Sequence, residues 1–238
     1  MRVAVVILVF LTGAVCLPQT EAVTVTGMVS VVRSAGASAD KTDNSGAVVW
    51  LTPVGGAASG PAQGSSARPR FKIVQQHKRF DPRVLAIPAG SAVDFPNLDP
   101  FFHNVFSMFD GKRFDLGLYE AGASRRVTFD RPGIVYIFCN IHPEMSAVVV
   151  VTDAPYYAMS DRAGRFSIAN VPPGRYLLNV WHERGKPDAA SEFPRQVTIT
   201  QENASLPAIR LADPGQLVAP HKNKYGQDYD TPKSPAYK

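Results

Sequence analysis

The chain has few cysteines and no cluster of charge of one sign. Of its 238 residues only two are cysteine, and its Lys and Arg residues exceed its Asp and Glu residues, 25 to 20. Because the basic residues are scattered along the sequence, binding of nucleic acid by a basic patch is not indicated. Hydrophobic spacing typical of helices is nearly absent, and short β-branched runs recur instead. The pattern therefore predicts an all-β protein.

The amino terminus is the only apolar run of note, and it is short. Arg2 precedes the fifteen uncharged residues Val3–Leu17, and Thr20-Glu21-Ala22 offers small residues for cleavage. This predicts a signal peptide over residues 1–22 and an exported, periplasmic protein, since a membrane helix needs about 20 apolar residues. A lipoprotein signal acylated at Cys16 fits less well. No later run is long enough to span a membrane, so the mature chain is expected to have no transmembrane segment.

Cleavage would leave Cys139 as the single cysteine of a protein in an oxidising compartment. A lone cysteine is often a small buried apolar residue, but His142 and Met145 follow it at spacings of three residues, and His103 supplies a second imidazole. Two His, one Cys and a weak axial Met are the ligands of an electron-transferring copper site. The sequence therefore predicts one copper ion bound by His103, Cys139, His142 and Met145.

The order of strand and turn signals predicts several regions. Strand-like runs at 23–32 and 47–53 precede a linker rich in Gly, Ala, Ser and Pro at 55–69. Seven more runs between 71 and 152 are enough for a two-sheet Greek-key barrel over residues 70–152. Further strands separated by turns occupy 153–212, and the polar tail 213–238 is expected to be disordered.

The segments on either side of the barrel resemble a known β-sandwich. Gly164-x-Phe166-x-Ile168, Pro172-Pro173-Gly174-x-Tyr176 and Gly46–Leu51 resemble the carboxypeptidase regulatory-like (transthyretin-like) module. The resemblance implies that 23–54 and 153–212 form one sandwich, which the barrel interrupts. Two tandem domains with a loose amino-terminal hairpin remain the alternative, and the residues leave both open.

The barrel region resembles the cupredoxins, the plastocyanin-type blue copper proteins. The resemblance rests on the strand start His103-Asn104-Val105, the strand Gly133–Cys139 and the loop from Cys139 to Met145, whose C-x-x-H-P-x-M spacing is most similar to that of amicyanin. It implies an eight-stranded barrel, one type 1 copper, and electron transfer through the edge of His142. It also implies that Asn104 hydrogen-bonds the ligand loop. Residues 106–122 depart from the family pattern and are either a partner-recognition loop or scaffold.

Competing sites fit the residues less well. A thioether is a poor zinc ligand, a binuclear copper centre would need a second cysteine in the loop, and no H-x-H pair of a multicopper oxidase occurs. His77, His182 and His221 are isolated, and no catalytic arrangement stands out, so an enzyme is not predicted. Two functions remain: an electron carrier that docks on a redox protein such as a c-type cytochrome or a dehydrogenase, and a copper module for storage, delivery or sensing.

Overall fold

The computed structural model describes residues 21–33, 43–55, 70–108, 111–187, 193–213 and 221–229. Nearly all of the predicted signal peptide and linker lies outside these ranges. Every secondary-structure element in the described ranges is a β-strand, which confirms the all-β fold class. Within the same ranges there is no helix with the length and apolarity needed to cross a membrane.

The strands of the described residues fall into three groups along the chain. The first group is β1 (Val23–Arg33) and β2 (Val48–Pro53). The second is β3 (Phe71–Lys72), β4 (Val74–Gln76), β5 (Arg79–Asp81), β6 (Val84–Pro88), β7 (Ser91–Pro96), β8 (His103–Ser107), β9 (Phe114–Tyr119), β10 (Ser124–Phe129), β11 (Gly133–Phe138) and β12 (Ser146–Thr152). The third is β13 (Tyr156–Met159), β14 (Arg165–Val171), β15 (Gly174–Trp181), β16 (Lys186–Pro187), β17 (Arg195–Ile199) and β18 (Ile209–Asp213).

Strands of the first and third groups share two sheets. One sheet has the order β14-β1-β18-β16 and the other the order β13-β2-β15-β17. Strand β1 runs antiparallel to β14 and parallel to β18, and β2 lies antiparallel between β13 and β15. The strands before the barrel region are therefore hydrogen-bonded to those after it, and are not a separate hairpin.

Alternating side chains build the core of this sandwich. Phe166 and Ile168 on β14 and Tyr176 and Leu178 on β15 are buried in one cluster, as residues two apart on a strand face the same side. The turn before β14 brings Gly164 against β1, where the Val29 amide donates to the Gly164 carbonyl over 2.7 Å. The two turn regions identified in the sequence thus position the inward faces of β14 and β15.

The second group of strands forms the barrel. Its sheets have the orders β10-β7-β3 and β6-β12-β11-β8-β9, with β4 and β5 as a separate hairpin. Strand β9 lies within residues 106–122 and pairs antiparallel with β8, so that part of this stretch is sheet scaffold. The barrel core contains Cys139 and Met145, both fully buried.

Strand β12 is buried on both faces, which explains its continuous apolar sequence. Ala147, Val149 and Val151 face the barrel core. Val148 and Val150 face the other way, into a cluster with Val48 on β2 of the sandwich; partly buried members of the same cluster are Trp50, Val84, Ile134, Tyr136, Tyr157 and Trp181. Arg83 also joins the two parts by donating to Ser146 Oγ over 3.0 Å and pairing with Glu183 over 2.6 Å.

The end of the chain differs from the sequence-based expectation. The tail over 213–238 was expected to be disordered, yet Asp213 closes β18 and residues 221–229 fold back on the barrel. The expectation is wrong for those nine residues. Hydrogen bonds rather than buried apolar side chains hold these residues on the barrel. A prediction of disorder from low hydrophobic content does not detect such hydrogen bonds.

Candidate metal centre

The two halves of the centre come from neighbouring strands of one sheet. His103 is the first residue of β8, and Cys139 directly follows β11, with Phe138 opposite Phe106 in the register of the two strands. The loop that returns to β12 is closed by two backbone hydrogen bonds, from the Cys139 amide to Met145 and from the Met145 amide to His142. The loop therefore turns His142 back towards the thiol.

Three of the four predicted ligands converge. Nδ1 of His103 lies 3.1 Å from Nδ1 of His142, and Sγ of Cys139 lies 3.9 Å and 3.7 Å from these two nitrogens. A point equidistant from the three atoms is about 2.1 Å from each, close to metal–ligand bond lengths of roughly 2.0–2.3 Å known for zinc. The donor set could thus hold one transition-metal ion. It is the single such group of His, Cys, Asp and Glu side chains within the described ranges.

Met145 is the fourth predicted ligand. Its side chain is fully buried and belongs to the same core cluster as Cys139. A buried thioether suits a soft metal and is a poor partner for a hard one. Cys139 itself is a free, buried thiol, which agrees with the sequence-based assignment of this residue as unpaired.

A buried carboxylate orients the His103 ring. Nε2 of His103 lies 2.7 Å from Oδ2 of Asp99, and both residues are buried. The backbone amides of His77 and Lys78, in the turn between β4 and β5, also donate to the Asp99 carboxylate. Since the carboxylate accepts the Nε2 proton, it leaves Nδ1 free to bind a metal.

The charge of Asp99 follows from these contacts. Burial alone would raise the pKa of its carboxyl group, but the hydrogen bonds from Lys78, His103 and His77 together hold the pKa below its usual value. Sequence reasoning missed Asp99. The signal available was Asn97-Leu98-Asp99, a turn-like sequence just ahead of His103, in which the Asp99 amide donates to Asn97 Oδ1.

Asn104 bonds the ligand loop as the cupredoxin resemblance implied. Its Oδ1 accepts from the amide of Asn140 over 3.2 Å. Its Nδ2 donates to Asp115 over 2.7 Å and to the Gly117 carbonyl over 3.0 Å, both on β9. The side chain is therefore fixed from both ends, and it ties the residue after Cys139 to strand β9.

Burial sets the protonation of two ligands. It raises the pKa of the Cys139 thiol, although the amides of Asn104, Ile141 and His142 act in the opposite direction. Burial and the neighbouring His103 imidazole lower the pKa of His142. Without a cation the centre therefore favours a neutral Cys139 thiol and a neutral His142 imidazole, and a bound metal ion must displace the thiol proton.

The apolar side chains next to the predicted ligands in sequence are divided between core and surface. Phe106 and Phe138 are buried beneath the loop. Phe101, Phe102 and Met108 are 37%, 55% and 43% exposed, and so belong to the surface. The Phe101 ring lies 5.2 Å from His103 and 5.8 Å from His142, centroid to centroid. The half-buried His142 thus lies beside the partly exposed Phe101 ring.

Of the three remaining histidines, His182 and His77 lie away from the predicted ligands. His182 is buried and packs in the sandwich, where its Nδ1 accepts from the amides of Arg184 and Gly185 and its Nε2 lies 3.2 Å from the Ser45 carbonyl. His77 is exposed in the β4–β5 turn. His221, by contrast, lies against the ligand loop, with its ring stacked on Phe138 at a centroid distance of 3.9 Å.

Comparisons with known proteins give only partial matches. No protein-family model matches the chain, and no curated protein does. Among solved structures, a purple cupredoxin from Nitrosopumilus maritimus is 24% identical and covers 34% of this chain and 99% of its own, with a TM-score of 0.32. A reduced Cu(I) form of an amicyanin mutant is 20% identical and covers 37% of this chain and 86% of its own, with a TM-score of 0.34.

A copper-containing nitrite reductase (NirK) from Thermus scotoductus SA-01 is 26% identical. The match covers 38% of this chain and has a TM-score of 0.34. The chain spans about a quarter of the length of that reductase, 24%. Each of these similarities concerns only a part of this chain.

Proposed function

We propose that this protein is an exported blue copper protein that carries single electrons. One copper ion would be held by His103, Cys139 and His142, with Met145 as a weak axial ligand. The observation that carries the proposal is the triangle of two imidazole nitrogens and one thiol sulfur, with sides of 3.1, 3.7 and 3.9 Å, which closes around a space of metal-ion size.

The chain's own residues suit rapid electron exchange. Copper, when bound, supplies a Cu(I)/Cu(II) couple that gains and loses one electron. A thiolate with two imidazoles gives neither Cu(I) nor Cu(II) its fully preferred coordination. Little rearrangement of the ligands is therefore needed when the oxidation state changes. Asp99 fixes the His103 ring and Asn104 fixes the amide of Asn140, so the ligands are held before the metal arrives.

The route to a partner runs through the surface at His142. Its ring is half-buried, and the adjacent Ile141 and Phe101 are 42% and 37% exposed. A surface that combines these apolar groups with the charges of Lys78 and Glu144 permits brief contact with a redox protein, such as a c-type cytochrome or a dehydrogenase. Export to the periplasm is part of the proposal and rests on the amino-terminal sequence. The proposal is for a carrier rather than an enzyme.

A second candidate is a copper-binding module for storage, delivery or sensing. The observation in its favour is the sandwich, which packs on the outer face of the barrel through Val48, Val148 and Val150. A simple carrier needs no such second unit, whereas a delivery or sensing protein needs a surface for a further contact. Both candidates use the same metal centre.

The test of the centre is spectroscopic. Residues 23–238 are expressed, Cu(II) is added, and visible absorption and electron paramagnetic resonance are recorded. We expect an intense blue thiolate-to-copper band that Cys139→Ser abolishes, because a serine oxygen provides no such charge transfer. A colourless protein that binds zinc tightly would refute the proposal.

The two candidate functions are separated by the behaviour of the copper-loaded protein. Fast, reversible reduction by a c-type cytochrome with the copper retained supports the carrier. Transfer of the copper to a metal-free acceptor without redox cycling supports the delivery module. Both assays use the same loaded protein, so the outcomes can be compared directly.

A further inference from the structure

The described end of the chain, residues 221–229, lies on the outside of the ligand loop. The Tyr229 hydroxyl donates to the Cys139 carbonyl over 2.7 Å, and Nε2 of His221 donates to the Pro143 carbonyl over 2.8 Å. The amide of Lys224 donates to Oδ1 of Asn140 over 2.9 Å. These three bonds reach residues on both sides of Ile141-His142, so the segment holds the backbone that carries two ligands.

The segment has a conformation of its own. Asn223 begins a turn in which the Gly226 amide donates to its carbonyl over 2.9 Å, and its Oδ1 accepts from the amides of Tyr225 and Gln227. Asn at the first position and Gly at the fourth are typical of such a turn. His221 and Tyr229, at the two ends, meet edge to face at 5.1 Å. The segment is therefore a closed loop rather than an extended tail.

A ring of four hydrogen bonds ties this loop to the barrel. The Asn140 amide donates to Asn104, and Asn104 donates to Asp115. Lys224 Nζ donates to the other Asp115 oxygen over 2.8 Å. The Lys224 amide donates to Oδ1 of Asn140, which closes the ring. Asn140, next to the thiol ligand, is thus held from the strand side and from the outside at once.

We propose that residues 221–229 form a clasp that positions the copper ligand loop, with Tyr229 and Lys224 as its positioning residues. The inference rests on the proposed copper function. The clasp restrains the backbone of Cys139 and His142 in the metal-binding geometry, so it slows the loop opening that lets copper leave. The hydroxyl dipole of Tyr229, positive towards Cys139, also disfavours Cu(II), the more highly charged state.

Two variants remove the clasp contacts with small changes in shape. Tyr229→Phe removes the hydroxyl that bonds Cys139, and Lys224→Met removes the charge that bonds Asp115. Tyr157→Phe is the matched control, since it removes a hydroxyl from a partly buried side chain on β13 of the sandwich, outside the clasp. Lys224→Arg keeps the charge and serves as the conservative rescue.

The first measurement is the rate of copper loss from the full exported chain to a Cu(I) chelator. A hydrogen bond contributes about 1 kcal/mol, so Tyr229→Phe and Lys224→Met should each lose copper about fivefold faster than the parent protein. Tyr157→Phe and Lys224→Arg should lose it at the parent rate. Tyr229→Phe should also lower the reduction potential, a readout that a purely structural role would not move.

The second measurement uses the metal-free chain, so that failure of the clasp and failure of the copper function are distinguishable. Hydrogen exchange of the amides in residues 139–145 should be faster in Tyr229→Phe and Lys224→Met, and unchanged in Tyr157→Phe. Exchange and copper loss at parent levels in both clasp variants would overturn the clasp while leaving copper binding intact. A parent protein that binds no copper would overturn the proposed function instead.

Discussion

At the scale of single residues, the centre depends on side chains that fix the ligands as well as on the ligands. Asp99 accepts the proton of His103 Nε2 and is itself held by the amides of His77 and Lys78. Nδ1 of His103 is available as a metal ligand because Nε2 keeps its proton. The Asp99 carboxylate therefore sets the tautomer of the His103 ring, although Asp99 is not itself one of the predicted ligands.

Replacement of Asp99 by Asn tests this role. The change converts one accepting oxygen into an amino group that faces N–H donors, so the ring loses its fixed orientation. We expect copper affinity to fall by about 10- to 100-fold, the usual effect of removing such a partner. Competition with a chelator measures the affinity, and the visible spectrum reports the geometry.

Asp94→Asn is the matched control for that change. Asp94 also carries a carboxylate on the barrel, but it pairs with Arg126 on the exposed surface. Its replacement should leave copper affinity at the parent value. Equal losses in the two variants would show that the effect comes from general destabilisation rather than from orientation of His103.

At the scale of elements, the sandwich relies on one close approach between a turn and a strand. Gly164 has φ +82°, and a Cβ on this residue would lie 1.9 Å from the carbonyl oxygen of Val29 on β1. Only glycine adopts this conformation at little cost, and only glycine leaves room for the strand. The turn therefore determines how β14 pairs with β1.

Gly164→Ala should destabilise the protein more than Gly90→Ala does. Gly90 has nearly the same φ, +83°, but a Cβ there would meet nothing within 4 Å. The unfavourable φ costs each variant roughly 1 kcal/mol, and the clash at Gly164 adds about 1–3 kcal/mol. Urea unfolding measures both. Equal losses would contradict the close approach.

At the scale of the whole molecule, the barrel and the sandwich are joined by an apolar cluster. Strand β12 contributes Val148 and Val150 to it, while Val149 between them belongs to the barrel core. The only two tryptophans of the chain, Trp50 and Trp181, pack against the same cluster. Tryptophan fluorescence therefore reports the junction, and the blue colour of the loaded protein would report the barrel.

Val150→Ala should weaken the junction selectively. It removes apolar contacts worth about 2 kcal/mol, so in urea the fluorescence change should precede the loss of colour, whereas the two should coincide in the parent protein. Val149→Ala removes the same atoms from the barrel core and should shift both probes together. Coincident transitions in Val150→Ala would contradict a separable junction.

Many of the strands and the local half of the candidate metal centre are predictable from the sequence alone. Strand-like runs separated by turns predicted most of the longer strands, although β9 was missed, and the spacing of Cys139, His142 and Met145 placed three ligand candidates on one short loop. These signals are local because strand periodicity and loop spacing involve neighbours in the chain. His103 could be added because its sequence neighbours resemble those of a known family.

Contacts between segments that are distant in the sequence became visible only in the folded chain. The tertiary structure joined β1 to β14 and β18 across the barrel, and it brought His103 and His142 to 3.1 Å from each other. It also placed residues 221–229, which sequence reasoning had assigned to a disordered tail, against the Cys139 carbonyl and the Asn140 side chain. Hydrogen bonds between residues this far apart leave no periodic trace in a single sequence, because each depends on the folded path of two separate segments.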